Sequence, residues 1–103
     1  MQDTIIITGV IDLDPARRDA AIDATRSVME ATRAEEGCEH YAFSADLTDP
    51  GRFYVVEQWA SAAALEAHLA TPHLAAFIGS MGDFGVTAVN LTKWEGATSS
   101  KMM

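Results

Sequence analysis

The chain has a single cysteine, Cys38, three prolines and no run approaching the about 18 apolar residues of a membrane-crossing helix. One thiol excludes an internal disulfide and lacks the clustering of a structural zinc or iron–sulfur site. Basic residues are scarce as well, with 7 Lys and Arg against 15 Asp and Glu, a formal charge of -8. Nucleic acid and anionic membranes both recruit basic patches, so neither is expected as a partner, and the acidity serves solubility. No positively charged start precedes an apolar run, which makes the cytoplasm the expected location. What the chain has in quantity is apolar: 49% of its 103 residues are hydrophobic and 21% charged. That is ordinary globular composition, and the length suffices for one domain burying roughly two thirds of its unfolded-chain surface. A single domain over residues 1–96 and a frayed tail over 97–103 are expected.

Residues 4–12, TIIITGVID, form a β-branched run that reads as a first strand. Asp14 as N-cap with Pro15 at the first helical position opens a helix reaching about Glu36. Its apolar positions, Ala21, Ile22, Thr25, Val28, Met29 and Thr32, recur every three or four residues, and Gly37 stops it. A second strand over 38–46 and a third over 53–60 flank Thr48-Asp49-Pro50-Gly51, which is turn chemistry, so the two should pair antiparallel. Ser61 then caps a short helix over 62–70, and Thr71-Pro72 caps and starts another. Three glycines between Gly79 and Gly85 predict a mobile loop, and residues 86–95 a fourth strand. The order βαββαβ, with its second helix split, predicts a ferredoxin-like α+β fold with helices on one face of a four-stranded antiparallel sheet. Ile5, Ile7, Tyr41, Phe43 and Val89 are expected on the other face. A contiguous apolar face on a soluble domain marks an interface, and a homodimer formed sheet to sheet is the economical answer.

Chemistry concentrates around residues 52–77. Alternation puts Phe53, Val55, Glu57 and Trp59 on one face of the third strand. A carboxylate on that aromatic face needs a partner, and His68 could supply one; a His–Glu pair also serves as a general base. His68 and His73 lie about 140° apart on a continuous helix, and no HxH, HExxH or carboxylate–His spacing occurs, so no metal site is expected. No glycine-rich loop follows a strand and opens a helix, so no nucleotide cofactor is expected either.

These residues resemble the antibiotic biosynthesis monooxygenase family. The matching pieces are Glu36-Gly37-Cys38 leading to Tyr41, Asp49-Pro50-Gly51-Arg52-Phe53, Glu57-Gln58-Trp59, Leu65-Glu66-Ala67-His68-Leu69, and Pro72-His73 with Phe77. Together they span about residues 4–95. Each is weak alone, while their order and spacing are specific for the fold. The resemblance implies a dimeric α+β barrel, with the two sheets facing each other and a pocket between sheet and helices in each subunit. It also implies oxygenation of quinols or polycyclic phenols without flavin, haem or metal. The haem-degrading branch uses an Asn, a Trp and a His together. Here the first strand has no Asn and His68 stands at the helical Trp position, which disfavours that activity.

Oxygenation without a cofactor requires that the substrate be deprotonated, after which its anion reduces oxygen. A phenol near pKa 10 facing an imidazole near 6.5 leaves about 3.5 units, about 5 kcal/mol, to be offset by donors beside the oxyanion in a water-poor pocket. The expected roles are His68 as base, Glu57 orienting it, and Asn90, Trp59 or Tyr41 as donors. His73, Trp59, Phe77, Met81 and Phe84 are expected as lining. Two readings stand side by side: a cofactor-independent monooxygenase, and a non-catalytic dimeric module that binds a small aromatic or a partner, in which these side chains only lock strand to helix.

Overall fold

A computed structural model describes residues 4–103. Strand β1 (Thr4–Asp12) leads through a 3-10 turn, Pro15–Arg17, into helix α1 (Arg18–Arg33). Strands β2 (Cys38–Ala45) and β3 (Arg52–Trp59) follow, then α2 (Ala62–Leu69), α3 (Pro72–Ser80) and β4 (Ala88–Ala97). The sheet is open, antiparallel throughout and ordered β2-β3-β1-β4. This is the expected ferredoxin-like topology.

The helix starts follow from their caps. Asp14, Ser61 and Thr71 each accept a backbone N–H from the first helical turn, and Pro15 and Pro72 sit where no N–H is needed. In α1 the buried positions Ala21, Thr25, Val28 and Thr32 form one stripe, turned toward β2 and α3. The β2–β3 turn is organised by Asp46, whose Oδ1 accepts from the backbone N–H groups of Thr48 and Asp49 at 2.7 and 2.9 Å. At the start of β3 the Arg52 guanidinium donates to both carboxylate oxygens of Asp12, its register partner on β1, at 2.8 and 3.1 Å.

The helices cover the face carrying Ile5, Ile7 and Ile11 of β1, Tyr41 and Phe43 of β2, and Phe53, Val55, Glu57 and Trp59 of β3. Burial of each large aliphatic or aromatic side chain there contributes about 1.5–3 kcal/mol. This reverses the expectation for Ile5, Ile7, Tyr41 and Phe43. Alternation divides a strand into two faces without saying which one the helices take, and register decides. Ile5 lies opposite Trp59, Tyr41 and Ile7 both lie opposite Glu57, and Phe43 lies opposite Val55, so all four share the helix-covered side. Val89 pairs with Ile11 and shares that side, half-exposed. The open face carries Ile6, Thr8, Val10, Tyr54, Val56, Asn90 and Trp94.

The glycine-rich segment is helical rather than a loop. Gly79 belongs to α3, Met81–Phe84 form a 3-10 turn, and Gly85 ends it at φ 64°. An added Cβ at Gly79 or Gly82 would meet nothing, so these two answer to no crowding, and of the three glycines in this segment Gly85 alone uses the left-handed freedom of the residue.

Candidate active site

Between the helix-covered side of the sheet and helices α2 and α3 lies a cavity of about 480 Å³. Ile7, Ile11 and Val55 form its floor, Leu65, Leu74 and Phe77 its helical wall, and Val89 and Leu91 of β4 its rim. Tyr41, Glu57 and His68, with Thr92 and Lys93 of β4, add polar side chains to this largely apolar lining.

Glu57 is buried, and its Oε1 accepts the indole N–H of Trp59 at 3.0 Å. Burial pushes its carboxyl above the usual range, while the Trp59 hydrogen bond and the nearby His68 hold it down. The phenol of Tyr41 is raised still further, first by burial and then by the Glu57 charge. The Tyr41, Trp59 and His68 rings pack together, with centroids 5.3 Å apart for Tyr41–His68 and 4.7 Å for Trp59–His68.

The carboxylate bonded to His68 is Glu35, not Glu57. His68 Nδ1 lies 2.8 Å from Glu35 Oε2, and His73 Nε2 lies 2.7 Å from the same oxygen. Three local features create this contact. Glu35 sits in the turn after α1, its N–H donating to the Thr32 carbonyl. Two residues later Gly37 adopts φ 82°, and the chain passes so close to α2 that a Cβ there would fall 2.5 Å from the Ala64 Cβ. Thr71 then breaks the helical path, donating its hydroxyl to the His68 carbonyl at 2.7 Å and accepting the Leu74 N–H at 3.4 Å. That break cancels the 140° separation expected of a continuous helix, so both rings reach one oxygen.

A carboxylate only accepts, so both rings donate: His68 carries its proton on Nδ1 and His73 on Nε2. In the neutral ring the lone pair of His68 then lies on Nε2. It has no hydrogen-bond partner among the described residues, in a ring that lines the cavity.

Of the residues singled out from sequence, Tyr41, Glu57, His68, Phe77 and Met81 line this cavity. Trp59 is fully buried behind the wall, where it fixes Glu57. His73 opens instead onto a shallower groove between α1 and α3, with Ser27 and Ala76. Phe84 is core, its ring centroid 6.1 Å from that of Phe77. Asn90 lies opposite Val10 on the open face of the sheet, so β4 turns it away from the cavity. Glu35 was not singled out, and its only sequence signal was its place two residues before a helix-ending glycine.

The family model described as Antibiotic biosynthesis monooxygenase matches residues 4–80. The chain belongs to the antibiotic biosynthesis monooxygenase family. It is 32% identical over 81 residues to the uncharacterized protein sll1783 of Synechocystis, an alignment covering 79% of this chain and 55% of that one. It is 37% identical over 68 residues to an Escherichia coli K12 protein named "Probable quinol monooxygenase YgiN", covering 58% and 65%. The chain thus spans less than two thirds of the length of these relatives. Among solved structures, one from Deinococcus radiodurans superposes with a TM-score of 0.88 at 28% identity, covering 96% of this chain and 98% of that one. PA3566 from Pseudomonas aeruginosa gives 0.83 at 28%, covering 95% and 98%. Among the described residues no helix is long and apolar enough to cross a membrane.

Proposed function

We propose that this family member is a cofactor-independent monooxygenase that oxidises a quinol or polycyclic phenol with molecular oxygen, using His68 as general base. The observation that carries the reading is one contact: His68 Nδ1 lies 2.8 Å from Glu35 Oε2, which in the neutral ring leaves the lone pair on Nε2, in a residue that lines a largely apolar cavity. Glu35 fixes the tautomer and orientation that a base needs, the role first expected of Glu57.

In this reading the phenolic proton passes to His68 Nε2, and the substrate anion supplies the electrons that reduce oxygen. The resulting imidazolium is stabilised by the carboxylate already bonded to its other nitrogen. Tyr41 stays protonated because burial raises its phenol, which suits it to donate to the developing oxyanion. The apolar walls exclude water and strengthen both interactions. Neutral Glu57 would be a second donor, whereas its charged form would oppose the anion, so its raised carboxyl favours the same chemistry.

A homodimer formed through the open sheet face belongs to this proposal. Val56 and Trp94 are respectively 42% and 55% exposed on that face, and with Ile6 and Val10 they form an apolar patch of the kind that marks an interface. Oxygen uptake by purified protein across a panel of naphthoquinols and polycyclic phenols, with autoxidation subtracted, tests the activity. Uptake at the background rate throughout would favour the binding-module reading.

A further inference from the structure

The geometry points to Glu35, His68 and His73 as a binding site for one divalent first-row transition ion of the zinc type, whose binding removes His68 from service as a base. The inhibitory half rests on the base assignment above; the binding half does not.

Glu35 Oε2, His68 Nδ1 and His73 Nε2 all lie within 4.8 Å of one another. Two imidazoles and one carboxylate are a donor set suited to zinc, nickel or cobalt, and less so to the oxygen-seeking magnesium and calcium. In a tetrahedral site with bonds of about 2.0–2.2 Å, ligand atoms stand about 3.3–3.6 Å apart. The two His–Glu separations, 2.8 and 2.7 Å, must therefore open slightly and the two nitrogens draw together. His73 can make most of this movement, since its side chain is 28% exposed and borders the α1–α3 groove. Three protein ligands leave a fourth position for water, which solvent can reach past His73, 28% exposed, and Glu35, 15% exposed. The ligands come from the α1–β2 turn, α2 and α3, so a bound ion would tie three elements together.

The consequence for His68 follows from valence. Neutral imidazole has one N–H and one lone pair. A metal on Nδ1 takes the lone pair there, so the ring proton must move to Nε2 through solvent. The His73 proton likewise moves from Nε2 to Nδ1. The exchange releases no net proton from neutral rings, but it leaves the nitrogen assigned as base carrying N–H and unable to accept. The same carboxylate oxygen that prepares His68 when hydrogen-bonded would disable it when shared with a metal.

The test is a cobalt(II) titration of untagged, chelator-treated protein, read by visible absorption. One tetrahedral-type band saturating at one ion per chain is expected, displaced by zinc. His73→Ala and Glu35→Gln should each weaken binding at least tenfold, with folding checked by circular dichroism. His73→Gln is the second variant should alanine disturb α3. No saturating band up to about 100 μM, or identical titrations in the folded variants, would overturn the site. Zinc should then slow quinol-dependent oxygen uptake in parallel with its occupancy. Full occupancy without slowing overturns the inhibitory half, and a protein that binds cobalt but consumes no oxygen leaves the site standing while sinking the monooxygenase reading.

Discussion

Glu35 and His68 are 33 residues apart in the chain and joined by a 2.8 Å hydrogen bond, and this contact selects which nitrogen of the buried ring keeps a lone pair. Neither residue could do this alone. The histidine supplies the ring, and the turn after α1 supplies the acceptor.

Glu35→Gln follows directly. An amide can present its NH₂ to Nδ1 and so favour the wrong tautomer, while the charge that stabilises the imidazolium is lost. Turnover above autoxidation should fall about 10²-fold or more, with a smaller change in KM. Steady-state oxygen uptake checks this, and an unchanged kcat would remove Glu35 from the account.

Gly37→Ala should destabilise the fold by about 1–2 kcal/mol from the left-handed backbone alone, because φ is 82° there. The Cβ would also press on Ala64. Urea unfolding measures the loss, and a variant as stable as wild type would contradict the turn geometry that delivers Glu35.

Glu57 makes a pH-dependent contribution. Its carboxyl is raised in the fold, so the stability it lends is present below its unfolded pKa, near 4.5, and is lost as pH rises through the folded value. Glu57→Gln, which cannot ionise, should therefore gain on wild type as pH increases from about 4 to neutrality. Thermal melts of both proteins across that range test the sign; a Glu57→Gln stability that falls relative to wild type as pH rises would reverse the assignment.

The homodimer rests on the open sheet face, so Val56→Asp should yield a species near the 11.1 kDa of one chain in sedimentation equilibrium, against twice that for wild type. Wild type sedimenting as a monomer would contradict the dimer. Phe43→Asp is no test of it, since Phe43 packs toward the helices and its charge would strike the core.

The element order was legible because caps, turn residues and β-branched runs are local signals. Asp14-Pro15 and Thr71-Pro72 mark helix starts with no help from the rest of the chain. Which sheet face the helices cover was not legible, because it depends on register between strands far apart in sequence. Asn90 lost its expected place in the cavity for that reason. Glu35 escaped notice because nothing local distinguishes it from Glu36, and its role arises only where Gly37 lets the turn touch α2. His73 does not line the cavity as expected, and the helix break gave it and His68 a common acceptor that periodicity denied them.

The most direct measurement compares oxygen uptake by wild type and His68→Ala, both verified as folded, on a naphthoquinol that wild type turns over well above autoxidation. The variant should lose about 10²–10⁴-fold in rate, the range for removing a general base. A His68→Ala protein that keeps the full wild-type rate above autoxidation would contradict the base assignment.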